Sequence, residues 1–375
     1  DRRISVPKES RPGENRVALV PDIISKLTRA GLEVVIESGA GASAQFSDEQ
    51  FSKAGATIKS GNVISDADVV ASIQPLTPDQ MKSLKKGAIT ISFLSPTTAV
   101  DSIDAAASAG VTAFSLEMVP RISRAQSMDA LTSQALCAGY RATLAAAELS
   151  PRFFPLLMTA AGTVTPANVV ILGAGVAGLQ AIATAKRLGA VVSAYDVRPA
   201  SADEVKSMGA KFITLELEAL EGQGGYAREM TEERAAKQRE LLTPYISAAD
   251  VLITTAAVPG RPAPRLVTAD MVATMQPGSV VVDLASESGG NVEGTKPGEV
   301  IVTSNGVKMW GGKDVPSQLP FHASMLFSRN VVNLLMLMVK TADGKAEITP
   351  DFADEIIDAA ALTHGGSRRT PEGKK

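Results

Sequence analysis

The sequence predicts an α/β protein built from two doubly wound parallel-sheet domains that are separated by a cleft and joined by long helices. Two observations favour this class. Short β-branched runs alternate with helix-like segments along most of the chain, which is typical of parallel sheets covered by helices. Aromatic residues make up only 4% of the chain, whereas Ala, Val, Ile and Gly are plentiful, as in buried parallel strands.

The N-terminal stretch, residues 1–119, predicts one of these sheets. Its strand-like runs are 4–6, 33–37, 69–73, 88–94 and 112–118. Its helix-like segments lie near 22–30, 48–54, 78–85 and 98–108. Gly31, Gly55 and Gly110 stand where a helix would stop and a strand begin, which is the usual position of a C-terminal cap glycine. This stretch contains no G-x-G-x-x-G motif.

The rest of the chain predicts a second sheet and a return to the first domain. A long helix over about 133–149 is expected to lead into six strands, at 169–172, 191–195, 211–215, 251–255, 280–285 and 300–303. Apolar residues at helical spacing over 321–338 predict a helix that packs on the first domain. The expected domains are therefore 1–133 with about 318–375, and 134–317. A short helix is expected near 352–362, and the polar stretch 365–375 is expected to be disordered.

The stretch 168–198 predicts a dinucleotide-binding βαβ unit. A glycine-rich turn joins its first strand to its helix and reads Gly173-Ala174-Gly175-Val176-Ala177-Gly178. Gly173 permits a tight turn, Gly175 lets a pyrophosphate approach the backbone, and Gly178 lets the helix pack close to the sheet. The helix N-terminus offers free N–H groups to the phosphates. The alternative is a glycine-rich turn that only packs.

The residue at the end of the second strand of this unit, Asp196, indicates which cofactor is bound. Its carboxylate can accept hydrogen bonds from the adenosine ribose hydroxyls and would repel a 2′-phosphate, so NAD is favoured over NADP. Val197 and Arg198 follow directly, and the positive charge of Arg198 weakens that preference. The second domain is thus predicted to be a Rossmann-like, NAD-binding domain.

Loops after the other strands complete the predicted cofactor site. The long link before residue 231 carries Gly225 and Tyr226 and is interpreted as a mobile lid over the nucleotide, or else as a surface insertion. Ala256 and Pro259 follow a predicted strand, and the stiff proline-rich loop there is expected to line the nicotinamide pocket. Glu287 follows the next strand, at the end of the sheet where ligands bind.

Composition excludes several other functions. The formal net charge of −3 gives no large basic field, so no nucleic acid is expected as a partner. The single Cys137 excludes an internal disulfide and fits a reducing compartment. With one Cys and two His in the chain, no metal site is expected. No apolar run reaches the ~18 residues of a transmembrane helix, and the start of the chain has no signal-peptide pattern.

Several stretches together resemble the alanine dehydrogenase and proton-translocating transhydrogenase superfamily. They are 7–9, 11–18, 120–134, 169–198, 259–264, 275–279 and 283–291. The resemblance covers nearly the whole chain to about residue 340. Within it, residues 121–129 (RISRAQSMD) are similar to the signature of the NAD(H)-binding component of transhydrogenase, called domain I or the alpha-1 subunit. Residues 224–227 (GGYA) resemble the mobile loop of that component.

The resemblance implies a set of residues around the nicotinamide. Arg121, Gln126 and Asp129, with the hydroxyl of Thr132, would bond its carboxamide, its ribose and the pyrophosphate and fix the ring face. Gln126 would face the partner's nucleotide. Thr132 stands where the family often has Ser, so the hydroxyl is kept and a methyl group is added. The alternative for Arg121 and Asp129 is a structural ion pair.

The resemblance also separates two activities. Alanine dehydrogenases use an Arg and a Lys to clamp the substrate carboxylate and a His as acid/base. Arg16 is retained, but Gln74 stands at the Lys position and Ser95 at the His position. The role of Arg16 would then be to brace the site. Direct hydride transfer between two nicotinamides needs no acid/base residue, only reacting carbons about 3–3.5 Å apart and little water.

The resemblance therefore implies an NAD(H)-binding subunit of proton-translocating NAD(P)⁺ transhydrogenase. It would exchange hydride with NADP(H) on a partner subunit, driven by proton movement through a membrane subunit, and would be inactive without those partners. A homodimer, peripheral on the cytoplasmic face of the inner membrane of a bacterium, is expected. The alternatives are an NAD-dependent alanine dehydrogenase-like oxidoreductase and an NADH-sensing binding module.

Overall fold

The computed structural model describes residues 1–217, 231–258 and 260–370. The chain divides into two compact units, unit one being Asp1–Gln134 with Pro316–Lys375 and unit two being Ala135–Val315. Each unit contains a parallel sheet with helices in its crossover connections. The predicted α/β class with two doubly wound parallel sheets is confirmed.

The sheet of unit one has six parallel strands. They are β1 (Arg3–Val6), β2 (Glu33–Glu37), β3 (Thr57–Lys59), β4 (Val69–Ala71), β5 (Ile89–Ser92) and β6 (Thr112–Ser115). Their order is β3-β2-β1-β4-β5-β6, so the winding direction reverses between β1 and β4. The sequence did not predict β3, because its Thr57 and Lys59 are exposed on the edge of the sheet and leave no apolar run.

Unit two contains a hairpin and a seven-stranded sheet. The strands are β7 (Leu157–Thr159), β8 (Gly162–Val164), β9 (Asn168–Leu172), β10 (Val191–Tyr195), β11 (Lys211–Phe212), β12 (Val251–Thr254), β13 (Val280–Asp283), β14 (Val300–Val302) and β15 (Lys308–Gly311). The sheet order is β11-β10-β9-β12-β13-β15-β14. The prediction of six strands was wrong at this edge, because β15 takes the sixth parallel place and β14 pairs with it antiparallel. The short strand β15 has no β-branched residue to mark it.

The helices of the described residues follow the expected alternation. In chain order they are α1 (Pro21–Arg29), α2 (Asp48–Ala54), α3 (Pro78–Ser83), α4 (Val100–Ser108), α5 (Ala130–Leu149), α6 (Val176–Arg187), α7 (Ser201–Ser207), α8 (Glu232–Ser247), α9 (Ala269–Val272), α10 (Pro320–Met336) and α11 (Glu355–Ala360). Ser47 caps α2, and Thr77 caps α3, each in a capping box with the Gln three residues later. None of these helices has the length and apolar content needed to cross a membrane.

The helix α10 belongs to the core of unit one. Phe327, Val331, Leu334 and Leu335 have no exposed surface and pack in one cluster with strand residues such as Ile4. Burial of a large apolar side chain contributes roughly 1.5–3 kcal/mol. This face therefore holds the C-terminal segment of the chain on unit one.

The end of the described chain is ordered, which differs from the predicted disorder of 365–375. Two further hairpins, β16 (Val339–Ala342) with β17 (Lys345–Ile348) and β18 (Thr363–His364) with β19 (Ser367–Arg368), lie in this segment. Arg368 donates to Asp104 across 2.6 Å. Arg369 pairs with Asp358 and stacks on Phe352. The prediction was wrong for 365–370 because these cations find partners far away in the sequence, and residues 371–375 lie outside the described residues.

Candidate functional site

The turn after β9 has the geometry that its glycines predict. Gly173 has a φ of +103°, and a Cβ there would lie 2.5 Å from the Oγ1 of Thr255. A Cβ on Gly178 would lie 1.8 Å from the carbonyl oxygen of Gly173. Both positions therefore require glycine, since any side chain would push α6 away from the strand.

The middle glycine of the turn borders open space. Gly175 is the N-cap of α6, and a Cβ there would meet nothing within 4 Å. No side chain caps this helix, so the N–H groups of its first turn are available to a ligand. A phosphate group can thus approach the backbone at this point, as a dinucleotide site requires.

A glycine outside the predicted motif supports the turn from behind. Gly139 lies on α5, and a Cβ there would lie 2.2 Å from the carbonyl oxygen of Ala177. The α5 backbone thus packs directly against the first turn of α6. No sequence pattern indicated this contact, because Gly139 stands alone within a helical segment.

Asp196 follows β10 and is bonded to the glycine turn. Its Oδ2 accepts from the backbone N–H of Ala174 at 2.8 Å, and its Oδ1 accepts from the N–H of Arg198 at 2.9 Å. The Arg198 side chain also donates to Oδ1, across 3.1 Å. Burial alone would raise the pKa of Asp196, but the Arg198 and Ala174 hydrogen bonds outweigh it and lower the pKa. The carboxylate is therefore ionised at neutral pH and fixed beside the turn.

The loop after β12 forms the next portion of the site. Thr255 donates through its hydroxyl to the carbonyl oxygen of Gly173 at 3.1 Å. The carbonyl oxygen of Ala256 accepts from Asn291 at 2.8 Å, and the same amide donates to Pro264 at 2.9 Å. Asn291 therefore ties the loop after β12 to the loop that follows β13.

A buried carboxylate at the end of β13 organises that second loop. Asp283 has no exposed surface and accepts four hydrogen bonds of 2.9–3.1 Å, from the N–H groups of Ala285 and Val292 and the hydroxyls of Thr254 and Thr295. It has no free lone pair directed at solvent. We therefore assign it to the framework of the loop, a role that residue type alone did not reveal.

The remaining predicted cofactor residues differ in what the structure says of them. Glu287 is exposed in a short 3-10 helix, Ser286–Ser288, directly after β13. Val197 is exposed and follows Asp196. Pro259, Gly225 and Tyr226 lie outside the described residues, so the predicted lid does too.

In unit one, the segment 120–132 places its four predicted residues in two groups. Arg121 and Gln126 are exposed, and neither has a hydrogen bond or ion pair within the described chain. Asp129 precedes α5 and accepts from Thr132, from its N–H at 2.9 Å and from its hydroxyl at 2.7 Å. Asp129 therefore caps α5, and no Arg121–Asp129 ion pair forms among the described residues.

This segment is anchored from two sides. Asn330 on α10 donates to the carbonyl oxygen of Ser127 at 2.9 Å and accepts from Ser133 at 2.8 Å. Arg124 pairs with Asp354 at 2.9 Å. The 3-10 helix Ser123–Met128 is thus held by polar contacts while the side chains of Arg121 and Gln126 stay available.

Comparison with known families decides the identity of this arrangement. The Alanine dehydrogenase/PNT N-terminal domain matches residues 5–138, and the Alanine dehydrogenase/PNT C-terminal domain matches residues 142–371. The chain belongs to the alanine dehydrogenase/PNT family. The predicted relationship is confirmed, and membership of this family implies binding of NAD(H).

Within the alanine dehydrogenase/PNT family, the transhydrogenase relatives are the more similar. The first portion of the NAD(P) transhydrogenase subunit alpha of Rhodospirillum rubrum is 46% identical over 97% of this chain and 97% of the relative. The crystal structure of transhydrogenase from Sinorhizobium meliloti superposes with a TM-score of 0.86 at 42% identity, over 98% of this chain and 99% of that chain. Alanine dehydrogenase of Mycobacterium tuberculosis is 32% identical over 79% and 75% of the two chains.

The position equivalent to the family's clamp arginine is occupied by an arginine that is already paired. Arg16 is buried and donates to both carboxylate oxygens of Glu14, at 2.7 and 2.9 Å, and to Gln134 at 2.9 Å. Burial alone would raise the pKa of Glu14, but Arg16 and Gln74 outweigh it and lower the pKa. Arg16 therefore serves as an internal brace in this structure.

Gln74 and Ser95, at the family's Lys and His positions, are likewise engaged. Gln74 donates to Glu14 at 2.8 Å and accepts from Arg11 at 2.6 Å. The N–H of Ser95 donates to Glu117 at 2.8 Å, and Ser95 has a φ of +50°. Neither side chain is a cation or a base, so these two positions offer no proton to a substrate.

A second carboxylate in this network was not singled out from the sequence. Glu9 accepts from the N–H groups of Ile73 and Gln74 at 3.1 and 3.0 Å. Burial raises the pKa of Glu9 to about 7; the two backbone hydrogen bonds oppose this shift, and the nearby charge of Glu14 adds to it. Glu9 therefore titrates near neutral pH beside the switch between β1 and β4.

Proposed function

We propose that this chain is the NAD(H)-binding subunit of a proton-translocating NAD(P)⁺ transhydrogenase. Hydride passes directly between NAD(H) on this chain and NADP(H) on a partner subunit, and a membrane subunit couples the transfer to proton translocation. The chain alone is inactive in this reaction. Its more similar relatives are named as an alpha subunit or as a portion of one, which supports an assembly with other subunits.

One observation carries the choice of this activity over amino-acid chemistry. The three polar positions of an alanine dehydrogenase site are a buried, doubly paired Arg16, an amide at Gln74 and a hydroxyl at Ser95. Reduction of an imino acid requires a group that gives and takes a proton near neutral pH. Hydride transfer between two nicotinamides requires none, since only positioning and exclusion of water are needed.

The residues of unit two fit NAD(H). The pyrophosphate would lie against the turn of Gly173, Ala174, Gly175, Val176, Ala177 and Gly178, where an absent Cβ leaves open space. The ionised Asp196 would accept from the adenosine ribose, flanked by Val197 and Arg198. Bound NAD(H) supplies the hydride or accepts it. The other proposed contacts are Gly225, Tyr226, Ala256, Pro259 and Glu287.

In unit one, the segment 120–132 is proposed to hold the nicotinamide half. Arg121 and Gln126 are exposed and unpaired within the described chain, so they are available to the carboxamide, the ribose or the partner's nucleotide. Asp129 and Thr132 bond to each other and would share those bonds with the cofactor. Their proposed role is to fix which face of the ring is presented.

The test is a hydride-transfer assay with the full chain. An oxidised NAD analogue and NADPH are supplied, and reduction of the analogue is followed with and without an NADP(H)-binding transhydrogenase subunit. Transfer is expected only with the partner, and Gln126→Ala should slow it while NADH binding is retained. NADH oxidation by pyruvate and ammonium with the chain alone would overturn the proposal in favour of an alanine dehydrogenase.

We also propose a homodimer that is peripheral on the cytoplasmic face of the inner membrane of a bacterium. A subunit that exchanges hydride with partners of a membrane assembly has to lie beside that membrane. The bacterial origin of the transhydrogenase relatives supports this location.

A further inference from the structure

Unit one repeats, without glycines, a contact that unit two makes at its nucleotide turn. In unit two, the acid after β10 accepts from the N–H of the second residue beyond β9, at 2.8 Å between Asp196 and Ala174. In unit one, the acid that ends β2 accepts from the N–H of the second residue beyond β1, at 2.6 Å between Glu37 and Lys8. The strands concerned are parallel neighbours in each sheet. Glu37 thus stands where a ribose-binding acid stands in a doubly wound sheet.

Two adjoining cavities lie at this edge of unit one. One has a volume of 340 Å³ and lies beyond the ends of β1 and β4, where the winding reverses. The other, of 320 Å³, is lined by Glu37 and residues 61–64. Pro7 and Gln80 line both cavities. Ligands of doubly wound sheets bind in the crevice at this reversal, and cavities of this size accept small molecules.

The larger cavity is suited to an anion. Lys8 and Arg11 line it, and within the described chain neither forms an ion pair. The first turn of α4 also borders it, through Ala99 and Ser102, and no side chain caps that helix. Ser102 is only 7% exposed, and its hydroxyl has no hydrogen-bond partner among the described residues. Two cations, a hydroxyl and free N–H groups are together a phosphate-binding set.

The anion site differs from that of unit two for a structural reason. Residues 17–20, directly before α1, are all buried, so no phosphate can reach the N-terminus of α1. The helix after β5 takes its place. The carboxylate of Glu9, which also lines the cavity, bonds to the N–H groups of Ile73 and Gln74, so its oxygens are engaged. Asp101 is exposed on the first turn of α4 and does not line the cavity.

We propose that this crevice of unit one binds a ribonucleoside monophosphate, with its phosphate beside Lys8, Arg11 and Ser102 and its ribose hydroxyls on Glu37. The site is separate from the NAD(H) site of unit two. Its ligand is a mononucleotide because the acid and the cations lie in two adjoining cavities, whereas free phosphate would use only the cationic one.

The test measures AMP binding to the full chain by calorimetry while NADH saturates unit two. One AMP per chain is expected, with adenosine and inorganic phosphate binding more weakly. A Lys8→Ala/Arg11→Ala variant should weaken AMP and phosphate binding at least tenfold. Glu37→Gln keeps an acceptor for the Lys8 N–H and should weaken AMP but not phosphate. Lys53→Ala, on exposed α2, removes one charge as the matched control and should change nothing.

Three results would overturn the site. They are no AMP binding to the NADH-saturated chain, binding that is unchanged in the Lys8→Ala/Arg11→Ala variant, and phosphate binding as tightly as AMP, which would leave only an anion site. Far-ultraviolet circular dichroism verifies that each variant is folded. If the chain failed to bind NADH, the proposed function would fail, and the AMP titration would then be read on Asp196→Ala, which leaves unit one intact.

Discussion

At the residue scale, the acid after β10 is both a structural and a recognition group. Asp196 holds the N–H of Ala174 and the side chain of Arg198, and its side chain is only 9% exposed. A carboxylate has about four lone-pair sites, so ribose hydroxyls have to share it with Arg198, which is 60% exposed and can turn away. The preference for NAD over NADP therefore depends on how readily Arg198 leaves the carboxylate.

This arrangement predicts a selective loss of affinity. Asp196→Ala removes the ribose acceptor and is expected to weaken NADH binding at least tenfold, since hydrogen bonds to a charged group contribute about 1.5–3 kcal/mol. NADPH binding should change much less, because the repulsion of its 2′-phosphate is relieved. Titration followed by the fluorescence of the reduced nicotinamide measures both affinities. Asp196→Asn keeps an oxygen acceptor and is the control; equal losses for both nucleotides in Asp196→Ala would refute the assigned role.

Glu9 predicts a pH dependence of stability. Its pKa is about 7 in the folded chain against 4.5 for the free group, so the folded state holds an extra proton between these values. Stability should therefore fall as the pH rises from about 4.5 to about 7, by up to about 3 kcal/mol from this group.

Urea unfolding at pH 5, 6, 7 and 8 measures that slope. In Glu9→Gln the side chain is neutral throughout, so its stability relative to the native chain should improve as the pH rises. Glu49→Gln, on exposed α2, is the control and should follow the native chain. Parallel curves for Glu9→Gln and the native chain would show that Glu9 does not titrate in this range.

At the scale of elements, the two glycines at either side of the α6 N-terminus separate packing from binding. A Cβ on Gly139 would lie 2.2 Å from the Ala177 oxygen, whereas a Cβ on Gly175 would meet nothing. Gly139→Ala should therefore destabilise the chain by about 1–3 kcal/mol through overpacking.

Gly175→Ala should leave the melting temperature nearly unchanged and still weaken NADH binding at least tenfold, because its methyl group occupies the space for the pyrophosphate. Differential scanning fluorimetry with and without NADH measures both effects. A Gly175→Ala chain with native affinity would mean that the phosphates do not lie against this turn.

Elements with a strong local pattern could be predicted from the sequence, and those that depend on distant partners could not. The βαβ unit around Gly173–Gly178 is marked by its own glycines and β-branched runs. The edge strand β3 and the strand β15 lack such runs. The polar brace of Arg16 joins it to Gln134, 118 positions away, and Gln74 reaches Glu14 over 60 positions, so no local pattern reveals it.

The site shows the same division. The glycine turn and Asp196 were predicted because their roles follow from spacing within 24 residues. The support from Gly139, Asn291 and Asp283 comes from other elements and was not visible. For the segment 120–132, the sequence indicated which polar residues matter, but the capping of α5 by Asp129 depends on where that helix begins.

At the scale of the whole molecule, one surface of unit two suggests where the proposed homodimer forms. The hairpin of β7 and β8 and the chain just before it expose Phe153 by 58%, Leu156 by 52% and Met158 by 79%. Large apolar side chains clustered at a surface are typical of interaction sites. A two-stranded hairpin is also marginally stable alone, so it gains from being covered.

The dimer prediction is tested by changing that hairpin. Leu156→Glu/Met158→Glu places two charges on the apolar surface, and the dissociation constant should rise at least 100-fold, since loss of about 3 kcal/mol of apolar burial corresponds to that factor. Sedimentation velocity is expected to show a dimer for the native chain and a monomer for the variant. Val302→Glu changes an equally exposed apolar residue (61%) on the edge strand β14 of the same unit and should remain dimeric. If the hairpin variant stayed dimeric while the Val302 variant dissociated, the interface would lie at the β14 edge instead, and hydride transfer in each variant would then report whether dimerisation is needed for exchange with the partner subunit.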